Sequence, residues 1–293
     1  MQTIEISAEE VSKGVMSSEN LADAVEAIES DGFVVLGGVV SSQSINTLRD
    51  KMREDLARFI ARDDAPFNFN QGNIQQDPPP FPPYLFQDVL LNKMVIAVTH
   101  TVLGQGMKND FYSGNTAIKS EQRQPVHADT GQLFANLVEG TPPYGLVVNV
   151  PLVDFSPENG STEIWTGTHK DTSVVIGQDI KVTPEMLERW REKSQPFQPT
   201  IKAGSVLIRD IRLWHAGMPN RTDTPRTMIA MIHYIGWWKT GTLKFPKGTE
   251  AFFADSDLYT CAQFVEGDID YVHAPGAYEY VKEAASKTPS EIS

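Results

Sequence analysis

The sequence contains one cysteine, Cys261, among 293 residues. A single thiol forms neither an internal disulfide nor a thiolate metal cluster, which suits a reducing compartment. It sits in Leu258-Tyr259-Thr260-Cys261-Ala262 with no histidine nearby, so a thiolate nucleophile is not expected. No apolar run approaches the ~18 residues of a membrane span. The start, MQTIEISAEE, lacks the basic and apolar regions of a secretory signal, and the end, KTPSEIS, is not a peroxisomal address. Basic clusters are missing too. Lys and Arg number 25 against 38 Asp and Glu, giving a net charge of -13 and a pI near 4.9. Nucleic acid and anionic membrane surfaces would repel such a chain. The expectation is a cytoplasmic globular protein with neither kind of partner.

With 40% hydrophobic residues the chain can bury a sizeable core, and one domain is expected over 1–293. Its first part, about 1–105, reads as mainly helical. Leu21, Ala24, Val25 and Ile28 follow a helical spacing that Asp31-Gly32 ends, before the short strand Phe33-Val34-Val35-Leu36. Ser41 or Ser42 caps a second helix running to about Arg62, and another spans roughly 87–103. Between them, residues 64–84 are rich in Pro, Asn and Gln, and read as a long loop packed over a site through Phe67, Phe69 and Phe81. From about 106 to 240 the chain reads as short strands between turns, interrupted by a helix that Thr183-Pro184 starts. A helical extension is expected over about 241–293, with a last helix near 275–286. This order suggests a mainly β sandwich or jelly roll with flanking helices.

Two His-x-Asp pairs stand out, and i, i+2 residues of a strand share a face. His169-Lys170-Asp171 lies in a polar turn, where a loop histidine bonded to backbone is the simpler reading, with Asp171 toward solvent. His127-Ala128-Asp129 sits where a strand runs into a turn, a rigid seat for a ligand. His215, in Leu213-Trp214-His215-Ala216-Gly217, would complete a two-histidine, one-carboxylate face. Such a face leaves three adjacent positions open, as oxygen-activating iron(II) requires. A lone histidine on an apolar strand is ordinarily a core residue. Arg226, eleven residues on, changes that reading. An antiparallel return would set it beside His215, where its guanidinium could anchor the far carboxylate of a dicarboxylate cosubstrate.

The pieces Asp31-Gly32-Phe33-Val34-Val35, Gln124-Pro125-Val126-His127-Ala128-Asp129, Glu158-Asn159-Gly160-Ser161-Thr162 and Trp214-His215-Ala216-Gly217-Met218-Pro219-Asn220-Arg221, with Arg226, span most of the chain. In this order they resemble the phytanoyl-CoA dioxygenase-like family of iron(II)/2-oxoglutarate oxygenases, and its fungal natural-product enzymes in particular. The resemblance implies a double-stranded β-helix (jelly roll, cupin-like), with Fe(II) bound by His127, Asp129 and His215. It also implies 2-oxoglutarate on Arg226, Gln124 and Thr162, and O2 as co-reactant. Thr166-Gly167-Thr168-His169 and Gly204-Ser205 depart from the usual pattern away from these positions. A carboxylate at 129, where related halogenases carry a small residue, points to oxygenation or desaturation.

For the substrate, expected to be a small and largely apolar molecule, the pocket candidates are Phe69, Tyr112, Asn115 and Phe134, with the aromatic run near Trp237-Trp238. A role in secondary metabolism is the expectation. A homodimer is expected only as the commonest assembly. Two alternatives remain at this point. A zinc or manganese hydrolase could use the same triad but would have no use for Arg226. A non-catalytic jelly-roll ligand binder would need neither.

Overall fold

The computed structural model describes residues 3–273. Thirteen strands are present among them: β1 (Thr3–Glu5), β2 (Phe33–Gly37), β3 (Phe67–Asn68), β4 (Asn70–Gln75), β5 (Lys108–Ala117), β6 (Gly145–Pro151), β7 (Glu163–Ile164), β8 (Val206–Asp210), β9 (His215–Ala216), β10 (Arg226–Tyr234), β11 (Leu243–Pro246), β12 (Tyr259–Thr260) and β13 (Ala262–Val265). The helices are α1 (Ala8–Lys13), α2 (Ser18–Asp31), α3 (Ser42–Ile60), α4 (Gln87–Leu90), α5 (Lys93–Leu103) and α6 (Pro184–Arg191).

The major sheet runs β1-β2-β8-β6-β10-β5-β4-β3, with β12 added beside β5. Facing it is a short, irregular sheet. In it β7 pairs β9, and bridges join His127 to His215, His127 to Lys181 and Ile164 to Phe197. This is the double-stranded β-helix, a jelly roll with helices outside it.

Strand parity sorts the residues of β10 and β6 between the two faces of the major sheet. On β10, Ile229 and Met231 join the outer core, while Arg226, Met228, Ala230 and Ile232 line the interior cavity. On β6, Leu146, Val148 and Val150 face out, and Val147 and Asn149 face in. The outer face is covered by Ala24, Ala27 and Ile28 of α2, Ile45, Leu48 and Met52 of α3, and Met94, Val95 and Val98 of α5. Each fully buried Leu, Ile or Met here is worth roughly 1.5–3 kcal/mol. The minor sheet is sorted likewise. Val126, Ala128, Trp214 and Ala216 pack outward beneath Met186, Leu187 and Trp190 of α6, so His127 and His215 between them turn inward.

Several helix boundaries follow from local chemistry. Ser17 caps α2, and Gly32 ends it in the left-handed region at φ 88°. Thr183 caps α6, with Pro184 at the first position. Other expectations need correction. The 87–103 helix is two helices, because Leu91 leaves helical geometry and the Asn92 side chain then caps α5 through Met94 and Val95. The 64–84 loop contains β3 and β4 at the sheet edge and is irregular again from Gln76. Residues 241–273 hold strands and a short 3-10 turn where a helical extension was expected. The helix expected near 275–286 lies outside the described residues.

Candidate metal centre

His127 and His215 exchange both backbone N–H···O bonds, at 3.0 and 2.9 Å, so their rings lie side by side with centroids 4.4 Å apart. Each ring is oriented from behind. The Nδ1 of His127 is 2.9 Å from the Pro125 carbonyl, and that of His215 is 2.9 Å from the Leu213 carbonyl. Two carbonyl acceptors fix the proton on Nδ1 and leave both Nε2 atoms as free lone pairs. Asp129 enters on the turn after His127, its N–H bonded to the Ile211 carbonyl at 3.1 Å. Its Oδ1 is 3.6 Å from His215 Nε2 and 4.0 Å from His127 Nε2. The candidate ligand atoms of the three residues all lie within 4.8 Å of one another.

Burial holds both histidines neutral at ordinary pH, pushing their pKa values down. Burial would raise the Asp129 carboxyl, but the Arg209 guanidinium beside it is the main influence holding the group down, at about 2. Two neutral imidazoles and a carboxylate are the ionisation states that a divalent metal needs. An N, N, O donor set with one face open to a cavity fits iron(II).

The cavity encloses about 270 Å³ between the two sheets. Arg226 lies in its wall, only 1% exposed, with its guanidinium 4.9 Å from the Phe155 ring. Its Nε and Nη1 have no hydrogen-bond partner among the described residues. Burial lowers this guanidinium to about 10, so it remains charged. A buried cation with unused donors is costly unless a ligand supplies an anion. A carboxylate with two oxygens fits it, and the hydrolase alternative leaves it without a role.

Arg226 does not reach the site as a hairpin partner of His215. The turn after His215 crosses from the minor to the major sheet. Asn220 steadies it, donating to the carbonyls of Ala117 and Thr224, and Arg226 pairs with Ala117 of β5. The arginine therefore faces the cavity from the sheet opposite the histidines. Gln124 and Thr162 also line the cavity.

Of the four substrate candidates, Phe69 and Asn115 line the cavity. Phe69 adopts φ 67°, and its ring stands 4.4 Å from that of His127. Tyr112 does not line it. Strand parity puts Tyr112 on the outer face of β5, against the helical core and a second cavity. Phe134 is on an exposed surface, 61% accessible, and Trp237 is likewise exposed. The second His-x-Asp pair is structural. His169 Nε2 meets the Glu29 carbonyl at 3.2 Å, and Asp171 is shielded by Arg189 and is not solvent-facing.

Sequence reasoning missed Arg209, Asn149 and Gln75, all in the cavity wall. The available signal was parity. Arg209 is two residues past Leu207 on the same strand face and six before His215.

A jelly roll with such a cluster and a buried arginine facing it defines the class of non-haem iron oxygenases that use a 2-oxo acid. Residues 28–228 match the family described as Phytanoyl-CoA dioxygenase (PhyH), and the chain belongs to that family. It is an Fe(II)/2-oxoglutarate-dependent dioxygenase. A relative, Dioxygenase af480 of Aspergillus fumigatus, is 24% identical over 223 residues, covering 73% of this chain and 67% of that protein. Among solved structures, AviO1 from Streptomyces viridochromogenes Tue57 superposes with a TM-score of 0.55 at 19% identity, covering 77% of this chain and all of that one (100%). EctD from S. alaskensis, solved with 2-oxoglutarate and 5-hydroxyectoine, gives 0.54 at 20% identity, covering 75% and 76%. HygX from Streptomyces hygroscopicus, with nickel, 2-oxoglutarate and hygromycin B bound, gives 0.51 at 16% identity, covering 84% and 96%. These structures share the fold.

Proposed function

We propose that this dioxygenase binds iron(II) through His127 Nε2, Asp129 Oδ1 and His215 Nε2, and anchors the far carboxylate of 2-oxoglutarate on Arg226, with Gln124 and Thr162 beside it. The observation that carries this reading is Arg226 itself, a buried cation with two unpaired donors in the same cavity as the triad. When bound, iron(II) and 2-oxoglutarate supply oxygen activation coupled to oxidative decarboxylation of the 2-oxo acid to succinate. The protein's part is to hold and shield. Pro125 and Leu213 keep the two rings aimed. Phe69 walls off His127. Arg226 fixes one end of the cosubstrate, so that its reacting end meets the metal in one orientation.

The cavity wall is mixed, which modifies the expectation of a largely apolar substrate. Phe111, Val147, Met228 and Ile232 supply apolar surface, and Asn68, Gln75, Asn115 and Asn149 supply amides. Asn68 Oδ1 and Asn149 Nδ2 are buried without partners among the described residues. We read the substrate as a small organic molecule with an apolar body and at least one oxygen or nitrogen function, oxidised by hydroxylation, desaturation or a related C–H reaction. The molecules bound by EctD and HygX are in keeping with a role in small-molecule metabolism, natural-product tailoring included.

The test is anaerobic. Apo-protein receives iron(II), then 2-oxoglutarate, while the visible spectrum is followed. A weak charge-transfer band is expected only with both. In Arg226→Ala, iron still binds but 2-oxoglutarate affinity falls by about 2–5 kcal/mol, the usual cost of truncating a buried charge partner. Wild-type protein that binds iron yet gives no band would refute this assignment.

A further inference from the structure

We propose that Arg209 is a positioning residue that keeps Asp129 to a single-oxygen contact with the metal. The inference rests on the iron and 2-oxoglutarate reading of the site. Arg209 belongs to β8 and pairs with Val147 of β6, and both line the cavity. Its Nη2 is 2.7 Å from Asp129 Oδ2. The other oxygen, Oδ1, is the one measured at 3.6 and 4.0 Å from the two histidine Nε2 atoms. The two oxygens of one carboxylate thus have separate neighbours, a cation for one and the imidazole pair for the other. Arg209 is itself held from behind, its Nε donating to Asn149 Oδ1 at 3.4 Å. It is 5% exposed, and Asp129 is the carboxylate it pairs with among the described residues.

A guanidinium beside a metal ligand repels a divalent cation, so its presence is not explained by metal affinity. It does supply geometry. A carboxylate free at both oxygens can swing to chelate through both, as carboxylates do on hard cations. That would take up one of the three adjacent positions that a two-histidine, one-carboxylate site keeps open. The 2-oxo acid needs two of those positions for its own chelate, and oxygen needs the third. An ion pair on Oδ2 removes the swing. Arg209 therefore gives up some metal affinity and preserves room for the cosubstrate.

This predicts a split that a merely structural arginine would not produce. In Arg209→Met and Arg209→Gln, metal affinity, measured by chelator competition with Mn(II), stays equal to wild type or rises. Affinity of the iron(II) protein for 2-oxoglutarate, read anaerobically from the charge-transfer band, falls by about 10-fold or more, the scale of ligand-supporting residues, and the band itself shifts. If the Met variant does not fold, the neutral donor in Arg209→Gln carries the test by the same criterion. A 2-oxoglutarate affinity within about twofold of wild type in a folded variant overturns the proposal, and so does a parallel loss of both affinities. A wild-type protein that gives no band at all sinks the iron and 2-oxoglutarate assignment instead, so the two failures are distinguishable.

Discussion

Gln124 uses both ends of its amide. The Oε1 accepts from the Gly217 N–H at 2.7 Å, and the Nε2 donates to the Asn68 carbonyl at 3.2 Å. One bond ties it to the segment just after His215, and the other to the turn that carries Phe69. The role implied by the family resemblance, a cosubstrate contact, is thus joined to a structural one. Gln124→Ala leaves the Gly217 N–H without its acceptor and unpins the Phe69 turn. The expected cost is about 1–3 kcal/mol, that of one buried unsatisfied group, read as a lower midpoint in denaturant unfolding. Gln124→Glu keeps the acceptor for Gly217 but places a carboxylate against the Asn68 carbonyl, so its midpoint should fall between the two. Unchanged midpoints in both variants would mean that the side chain is not a clamp.

Between elements, one close joint near the site is a glycine. Gly160 sits at φ 77° after the 3-10 turn Pro157–Asn159, and a Cβ there would lie 2.4 Å from the Met218 carbonyl oxygen. The turn leading to Thr162 is therefore packed on the turn that follows His215. Gly160→Ala meets both a left-handed backbone and a carbonyl that cannot yield. A loss of roughly 2–4 kcal/mol is expected, the sum of about 1–2 for the backbone and 1–3 for overpacking less some relaxation. Thermal unfolding checks it, and an unshifted midpoint would show that the two turns separate freely. This scale also explains what could be read in the sequence. Motif spacing singled out His127, Asp129, His215 and Arg226, the family resemblance alone added Gln124 and Thr162, and all six line one cavity. The change of sheet between His215 and Arg226 was not legible, and a hairpin was expected in its place, since a turn that changes sheets looks in sequence like one that returns. Tyr112 was misjudged, and Arg209 passed over, for one reason. Which parity of a strand faces inward is decided by the helices packed outside it, and no single strand states that. Once Asn115 is known to face inward, Tyr112, three residues away, must face outward.

For the molecule as a whole, the net charge of -13 does not by itself set how stability varies with pH, which depends on the groups whose pKa values differ between the folded and unfolded chains. Two buried groups act in opposite senses. Asp77 is enclosed near the second cavity, and burial raises its carboxyl to about 6, partly offset by the Ser113 hydroxyl that donates to it and by Arg62. A folded-state pKa above the unfolded value of 3.8 means that the folded chain holds this proton longer. Its stabilising contribution is complete below the unfolded pKa and is lost as pH rises through about 6. His233 acts in the opposite sense. Burial takes its imidazole down to about 3, so the folded state keeps it neutral and loses stability as pH falls below the unfolded value of 6.5. The two effects overlap and partly cancel in the wild type, so the wild-type profile alone cannot resolve them. Asp77→Asn can, because asparagine keeps an acceptor for Ser113 and has no proton to release. The unfolding free energy of Asp77→Asn minus that of wild type should grow by about 2 kcal/mol between about pH 4.5 and about pH 7.5, measured by urea unfolding at each pH. The other titrating groups drop out of that difference. A gap that stays constant across the window would mean that Asp77 ionises in the folded chain as easily as in the unfolded one, and that the pocket around it admits water.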